Sequence, residues 1–412
     1  FHDGSALDVH DVIATYSRIA NPPEGVVSTR TDWFKDVTSM KAIDDFTLEI
    51  TLSRPLAYFM DYLAYGQMVI NSKEFLEANN YSFRTVSDFP GTGPFIFKEL
   101  REGQSLTMER NPNYWNGDLP YLDGIQHFKL DRVASANAML AGRLDEVRGN
   151  ILKGYKIMEA DPAIRLLPQP GLWAYYFWMN RDIKPFDDVR VRQALNLIWN
   201  RPALYEATKQ FRIMHAGDGF VPGGSAWQAE LTGGEWRNRP GNRGVTDADV
   251  AEAKSLLKAA GYENGLGEIE VSIRGPLIPV TMYHAQSLQS DITRYLGNGF
   301  ATFKYKSQEF AKAKHALRNN EYEAFSMASC FCEVDHPIIW LYSYWHSDGG
   351  NALGNYKNPA FDSLVDRMIA STDRAEQVTL GKQALEILWT DMPAIPNAEW
   401  GTNMAAQKIY VR

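Results

Sequence analysis

Segments patterned for helix and segments patterned for strand follow one another along the whole chain without an internal repeat, which confines the protein to the mixed α/β classes. "FTLEITL" (46–52) alternates Phe46, Leu48, Ile50 and Leu52 against Thr47, Glu49 and Thr51, the period of a half-buried strand. "DVHDVIATYSRIANPP" (8–23) sets Val12, Tyr16 and Ile19 at helical spacing and stops at Pro22 and Pro23. A helix is predicted over 132–142, closed by Gly142, after which "LDEV" begins a strand. Between 168 and 201 an aromatic strand gives way to a loop at Pro185. A helix follows, capped by Asp187 or Asp188, with Val191, Ala194, Leu195 and Ile198 turned inward. "TDADVAEAKSLLKAAGY" reads as a helix with an acidic cap and Gly261 as terminator, and a last helix carries Val378, Leu385 and Leu388 up to Pro393. Residues 216–246, rich in Gly, Asn, Arg and Pro, read as a long surface loop outside the core. At 412 residues the chain is longer than one hydrophobic core usually grows, so more than one domain is expected.

The stretch "GTGPFIFKELREGQSLTMERNPNYW" (91–115) tests one function class directly. A phosphate loop needs a helix N-terminus behind its glycines, so that backbone N–H groups and the helix dipole converge on the anion. Here Phe95, Ile96 and Phe97 form a buried strand, 101–104 a turn, and Leu106 with Met108 the returning strand, so the nucleotide reading fails.

Composition narrows the remainder. A net charge of −8 and a pI near 5.6, without a basic cluster, disfavour a nucleic-acid partner. No apolar run approaches the roughly 18 residues of a membrane-spanning helix. The motifs H-E-x-x-H, G-x-S-x-G and G-K-[ST] are absent, and Asp44 with Asp45 precedes a strand as a turn, not as an acid–base pair. Cys330 and Cys332 are too few for a disulfide framework. Together with Glu333, Asp335, His336 and His346 they could offer sulfur and imidazole to a transition metal, but a single loop would have to bend to supply four ligands. His336 alone reads as a surface histidine.

"FHDGSALDVHDV", "GTGPFIF", "RNPNYW", "AGRLDEV", "KPFDDVRVRQAL", "AKSLLKAAGY" and "NPAFDSLVDRM" occur in this order and at these separations from residue 1 to about 400. As an ordered set they closely resemble the peptide- and nickel-type (family 5) extracellular solute-binding proteins of bacterial ABC importers. The resemblance implies an α/β fold, a two-lobed type II periplasmic-binding-protein clamshell with an extra subdomain in lobe I. It places lobe I at 1–178, with the extra subdomain at 1–118, lobe II at 179–397, and the return crossing to lobe I from 398 to 412. Beside the family's usual length the chain looks truncated at both ends. Asn200 stands where the family usually has Asp before Arg201.

The function implied is capture of di- or oligopeptides between the lobes and delivery to the permease subunits of an ABC importer. No catalysis and no cofactor are implied. A periplasmic or lipid-anchored surface location and a monomeric chain are expected, with no nucleic-acid partner and no integral membrane segment. An oligosaccharide or a nickel or other metal chelate is the alternative ligand. In peptide-binding members an acidic residue shortly before a proline accepts the ligand's α-ammonium, and counting back from Pro337 gives Glu333, or Asp335 if the loop is shifted. Phe310 falls where several members place a cleft Trp. Trp178, Asn180 and Trp345 complete the candidate ligand site, Asn180 either giving its amide to the ligand or stabilising a turn. The spacing of Trp340 and Tyr342 also fits a packed helix face. Gly91 and Gly93 are expected to turn the backbone tightly into its strand, and Tyr114 and Trp115 to pack beneath the lobe.

Overall fold

The computed structural model describes every residue except 27, 29, 84–89, 150–153, 209–213, 216–218, 222–224, 275–278, 332–334, 350–353 and 409–412. The chain divides into two compact units, Phe1–Ser135 and Ala136–Arg412.

The first unit opens with α1 (Val9–Ala20), whose Asp8 cap accepts from His10 N while Asp11 answers to the Asp8 backbone, a reciprocal pair that fixes the start of the helix. A hairpin of β1 (Val37–Asp44) and β2 (Thr47–Leu52) turns where Asp44 accepts from Phe46 N at 2.9 Å. Tyr16 of α1, Phe34 and Met68 form the buried centre against which the hairpin residues Met40 and Leu48 pack. Phe46 lies in the turn and is 86% exposed, so the inward alternation begins only at Leu48. Two short helices, α2 (Phe59–Leu63) and α3 (Lys73–Ala78), precede a three-stranded meander of β3 (Phe95–Arg101), β4 (Ser105–Arg110) and β5 (Gly124–Phe128).

The glycines before β3 have a different role from the one expected of them. Neither Gly91 nor Gly93 has a positive φ; instead both meet His2, whose N–H donates to Gly91 O at 2.8 Å and whose Nε2 lies 3.0 Å from Gly93 O. A Cβ on Gly91 would stand 3.3 Å from the imidazole. "FHDG" and "GTGP" are thus one contact made from distant parts of the chain. Trp115 is 74% exposed, which corrects the expectation that it packs beneath a lobe.

The unit boundary falls within α4 (Arg132–Leu140). In the second unit, β6 (Glu146–Gly149), α5 (Gly154–Glu159) and the start of β7 (Ile164–Met179) build a small core with α4 around Met139, Val147, Met158 and Ile164. The larger part continues through α6 (Val189–Ile198), α7 (Arg201–Thr208), β8 (Met214–His215), α8 (Gln228–Thr232), α9 (Asp247–Ala259), β9 (Gly267–Arg274) and α10 (Pro279–Leu296). It ends with β10 (Ala301–Gln308), α11 (Phe310–Arg318), β11 (Ala324–Phe331), α12 (Pro337–Trp345), α13 (Pro359–Ala370), α14 (Arg374–Asp391) and β12 (Ala394–Lys408).

A single sheet runs through this unit in the order β10-β9-β11-β7-β12-β6, with β8 on β12. β9, β10 and β11 are mutually parallel, whereas β7 is antiparallel to both β11 and β12. β7 and β12 pair from Trp178 back to Ile164, so a continuous ribbon joins the small core to the larger one, with register shifts between Pro396 and Ala398 and between Trp400 and Thr402. Such bulges bend a ribbon locally.

Local chemistry accounts for the helices. Asp188 caps α6, Thr246 caps α9 in a box with Asp249, and Asn358 caps α13 through Ala360 N and Phe361 N. Buried Arg192 donates to the carbonyls of Phe186, Asp391 and Met392, closing the free end of α14 onto the loop before α6. Residues 219–246 are not merely surface: Phe220, Val221, Trp227, Leu231 and Trp236 are buried, with α8 formed among them.

Candidate functional site

Parallel strands place their carboxyl ends, and the loops that follow, on one edge of a sheet, and open α/β sheets bind ligands there. In this sheet that edge carries the carboxyl ends of β9, β10 and β11, at Arg274, Gln308 and Phe331. Phe310, the first residue of α11, and residues 332–335 both follow such ends. The antiparallel partner strand brings Trp173 opposite Phe331, and β12 brings Trp400 opposite Trp173, so the ribbon borders the same edge.

Glu333 lies outside the described residues, as do Cys332 and the side chains of Phe310 and Cys330. Asp335 is described, and its carboxylate is committed within the protein. Oδ1 accepts from Ser225 Oγ at 2.6 Å, Oδ2 accepts from Ala226 N at 2.7 Å, and Ser225 Oγ accepts in turn from Trp227 N at 3.1 Å. A carboxylate that receives such charge-assisted bonds acts as a clasp between the loop before α8 and the start of α12.

Next in the chain, His336 caps α12: its Nδ1 accepts from Ile338 N at 3.3 Å, and Pro337 occupies the first turn, where no N–H is needed. Burial pushes the His336 imidazole down to about 4, Asp335 opposing and Arg374 adding to the shift. It is 6% exposed, which corrects the surface reading. Beside it, Arg374 stacks on the Trp227 ring at 3.9 Å and binds Glu230 through paired contacts, its Nε at 3.1 Å from each carboxylate oxygen. Ser225, Trp227 and Arg374 carry no sequence signal for this site, because their meeting depends on the loop at 219–246 folding back to the sheet edge.

The remaining candidates lie at the other end of the sheet. β7 runs antiparallel to β11, so Trp178 pairs with Phe325 at the beginning of β11, while Phe331 at its far end meets Trp173. From Phe325 to Phe331 the strand spans roughly 20 Å at about 3.3 Å per residue. Trp178 is fully buried and stacks on Trp345 at 5.1 Å, with Tyr176 and Phe220 closing the cluster around Trp345. Trp340 is buried as well, and Tyr342 stacks on His346.

Asn180 spends its amide on turns: Nδ2 donates to the carbonyls of Asn320 and Tyr322, and Oδ1 accepts from Asp182 N and Asn320 Nδ2. Trp178, Trp345 and Asn180 are therefore packing and turn residues here, and the structure does not bring them to Phe310 and Asp335. Among the described residues no group of three His, Cys, Asp or Glu is placed to hold a metal ion.

Comparison with known proteins agrees with this architecture. The family model described as bacterial extracellular solute-binding proteins, family 5, middle region, matches residues 1–352. The glutathione-binding protein GsiB of Pectobacterium atrosepticum is 26% identical, the match covering 96% of this chain and 74% of that protein. Heme-binding protein A of Haemophilus influenzae is 27% identical, over 95% of this chain and 72% of the relative. Among solved structures, the periplasmic binding protein DppA of Helicobacter pylori in complex with the peptide STSA superposes with a TM-score of 0.77 at 22% identity, covering 98% of this chain and 78% of the other. That likeness establishes the α/β periplasmic-binding-protein fold.

Proposed function

Because this chain belongs to the family 5 extracellular solute-binding proteins of ABC transporters, we propose that it captures peptides at the carboxyl edge of its large sheet and hands them to an importer. The family's proteins are periplasmic or extracellular, and among the described residues no helix is long and apolar enough to cross a membrane. The observation that carries the proposal is that the carboxyl ends of β10 and β11 lie on one edge of the sheet, with Phe310 and Asp335 following them in the chain. Glu333 is the residue we assign to the ligand's α-ammonium, since a carboxylate in a water-poor site is costly unless a cation pairs with it.

Ligand binding would draw the loops at this edge together with the β7/β12 ribbon, so that occupied and empty proteins differ in the population of a closed form. The permease subunits of an importer would read that closed form. The protein would bind its ligand without turnover. The relative named for haem supports a second reading, in which the same edge holds a non-peptide ligand such as an oligosaccharide or a metal chelate.

Identification by mass spectrometry of the small molecule released from the purified protein tests both readings. A peptide supports the first, while a haem, sugar or chelate that rebinds saturably after removal replaces it with the second. Recovery of added peptides in cleaved form, at a rate that scales with protein through repurification, would overturn the binding-only reading.

A further inference from the structure

An edge strand leaves one row of backbone N–H and C=O groups unpaired, and proteins usually blunt such edges with lysine, proline or a bulge. In the meander of the first unit, the edge strand β3 is blunted by Lys98, Glu99 and Arg101 and by a register shift between Phe97 and Glu99. The edge strand β10 of the large sheet carries Lys304 and Lys306. β5 has none of these devices: "GIQHF" holds no lysine or proline, and its pairing with β4 runs without a shift from Phe128 to Gly124. Ile125 is half-buried, and the other residues of β5 are exposed.

The register fixes which groups face outward. Arg110 N donates to Asp123 O and Lys129 N donates to Gln104 O, both at 2.8 Å, so Asp123, Ile125, His127 and Lys129 turn their backbone towards β4. Gly124, Gln126 and Phe128 turn theirs away from it, and among the described residues no strand pairs with that edge. Phe128 is 47% exposed, and Leu122 and Leu130 on either side of the strand are exposed as well. Open backbone groups flanked by apolar side chains are a template for another strand.

We propose that β5 is the interface of a symmetric homodimer, in which it pairs antiparallel with β5 of a second copy about a two-fold axis at Gln126. That register joins every outward-facing residue of the strand. Gln126 exchanges both of its bonds with Gln126 of the second copy, and Gly124 exchanges both with Phe128 of the second copy. The Phe128 ring then covers the glycine, which has no side chain to shield its own backbone. Asp123 meets Lys129 of the second copy, an opposite-charge cross-strand pair at each end of the interface. Asp123 can make this contact because Arg110 Nη2 holds only its Oδ1, at 2.9 Å, and the side chain is fully exposed. Sliding by two residues either way leaves Gly124 or Phe128 without a strand partner, and one of the two slides sets Asp123 against Asp131. The strand is thus complementary to itself, which favours a second copy over an unrelated chain. The interface does not depend on the peptide reading.

Sedimentation velocity of the purified protein over a dilution series tests the proposal. The wild type should show a concentration-dependent monomer–dimer equilibrium, and Gln126→Pro, which removes the outward N–H at the axis from both copies, should weaken it at least about tenfold. On oxidation Gln126→Cys should give a disulfide-linked dimer on non-reducing gels, because residues facing each other in such a pair stand about 5.5 Å apart at Cα, within disulfide reach. Lys129→Cys should not, since its two copies lie roughly 20 Å apart along the strands. The wild type sets the background from Cys330 and Cys332. If Gln126→Pro does not fold, the two cysteine variants carry the decision. A monomer at every concentration overturns the proposal, whether the amides of Gly124, Gln126 and Phe128 exchange freely or are protected by a segment of another protein. A dimer that survives Gln126→Pro and does not cross-link through Gln126→Cys overturns it as well, because its interface then lies elsewhere.

Discussion

Trp178 lies flat against Trp345, ring centroids 5.1 Å apart with 21° between the planes, and each is at most 1% exposed. The contact joins the central strand β7 to the end of α12, and Tyr176 and Phe220 pack edge-on against the Trp345 ring. Truncating an aromatic in such a cluster removes its transfer energy and leaves a cavity, so Trp178→Ala should lower stability by about 3–5 kcal/mol. Urea denaturation gives the answer, and a loss below about 1 kcal/mol would return Trp178 to the list of ligand-facing residues.

Gly241 and Arg201 make a second non-local pair. Gly241 has φ +82°, and a Cβ there would fall 2.5 Å from Asn196 O and on top of the buried Arg201 guanidinium. Arg201 cannot easily retreat, because its Nε donates to Pro396 O and its Nη2 donates to Asn196 Oδ1 at 2.6 Å. Gly241→Ala should therefore cost about 1–3 kcal/mol for overpacking on top of the backbone strain. Gly233→Ala is the control, with φ +59° but no atom within 4 Å of the added Cβ, so it pays the strain alone. Thermal unfolding should rank Gly241→Ala clearly below Gly233→Ala.

His336 makes stability depend on pH in a defined direction. Burial holds its folded-state pKa at about 4, against 6.5 for an ordinary imidazole. Between these values the unfolded chain takes up a proton that the folded protein refuses. Stability is therefore complete above pH 6.5, falls as the pH drops, and levels once the folded imidazole is protonated near pH 4; the loss is up to about 3 kcal/mol. Protonated Nδ1 could no longer accept from Ile338 N, so the cap of α12 would go with it. His336→Asn, which keeps a capping oxygen without the titration, should flatten the slope of unfolding free energy between pH 6.5 and 4.

The parts of this fold that were legible in the sequence are those fixed by neighbours in the chain. Asp188 announces its helix because a cap acts within three residues, and the strands around residues 101–104 declare themselves through alternation and turn chemistry. Thr246, not an acidic residue, caps α9. What was not legible depends on register. Trp178 lies in an aromatic strand and Asn180 just after it, and only the antiparallel pairing with β11 shows that they sit at the end opposite Phe310 and Asp335. The glycine-rich stretch hid Trp227 and Trp236 in the same way, since its composition describes turns and not the surface they fold against.

Glu333 and Asp335 can be separated by their different commitments. Both oxygens of Asp335 already receive donors from Ser225 and Ala226, so an ammonium at Asp335 would have to compete with bonds of 2.6 and 2.7 Å. We expect Asp335→Asn to loosen the clasp, lowering stability and weakening free-amine and N-acetylated peptides by a similar factor. Glu333→Gln should act on charge alone. Truncating one partner of a buried charge pair typically costs about 2–5 kcal/mol, so a free-amine peptide should lose at least about 30-fold in affinity. The N-acetylated peptide, which has no ammonium, should bind the wild type poorly and lose little more on mutation. Titration calorimetry on wild type and both variants with both peptides gives two thermodynamic cycles, and strong coupling is expected only in the Glu333 cycle. Coupling confined to the Asp335 cycle would move the ammonium to Asp335, and coupling in neither would point to a ligand without an ammonium.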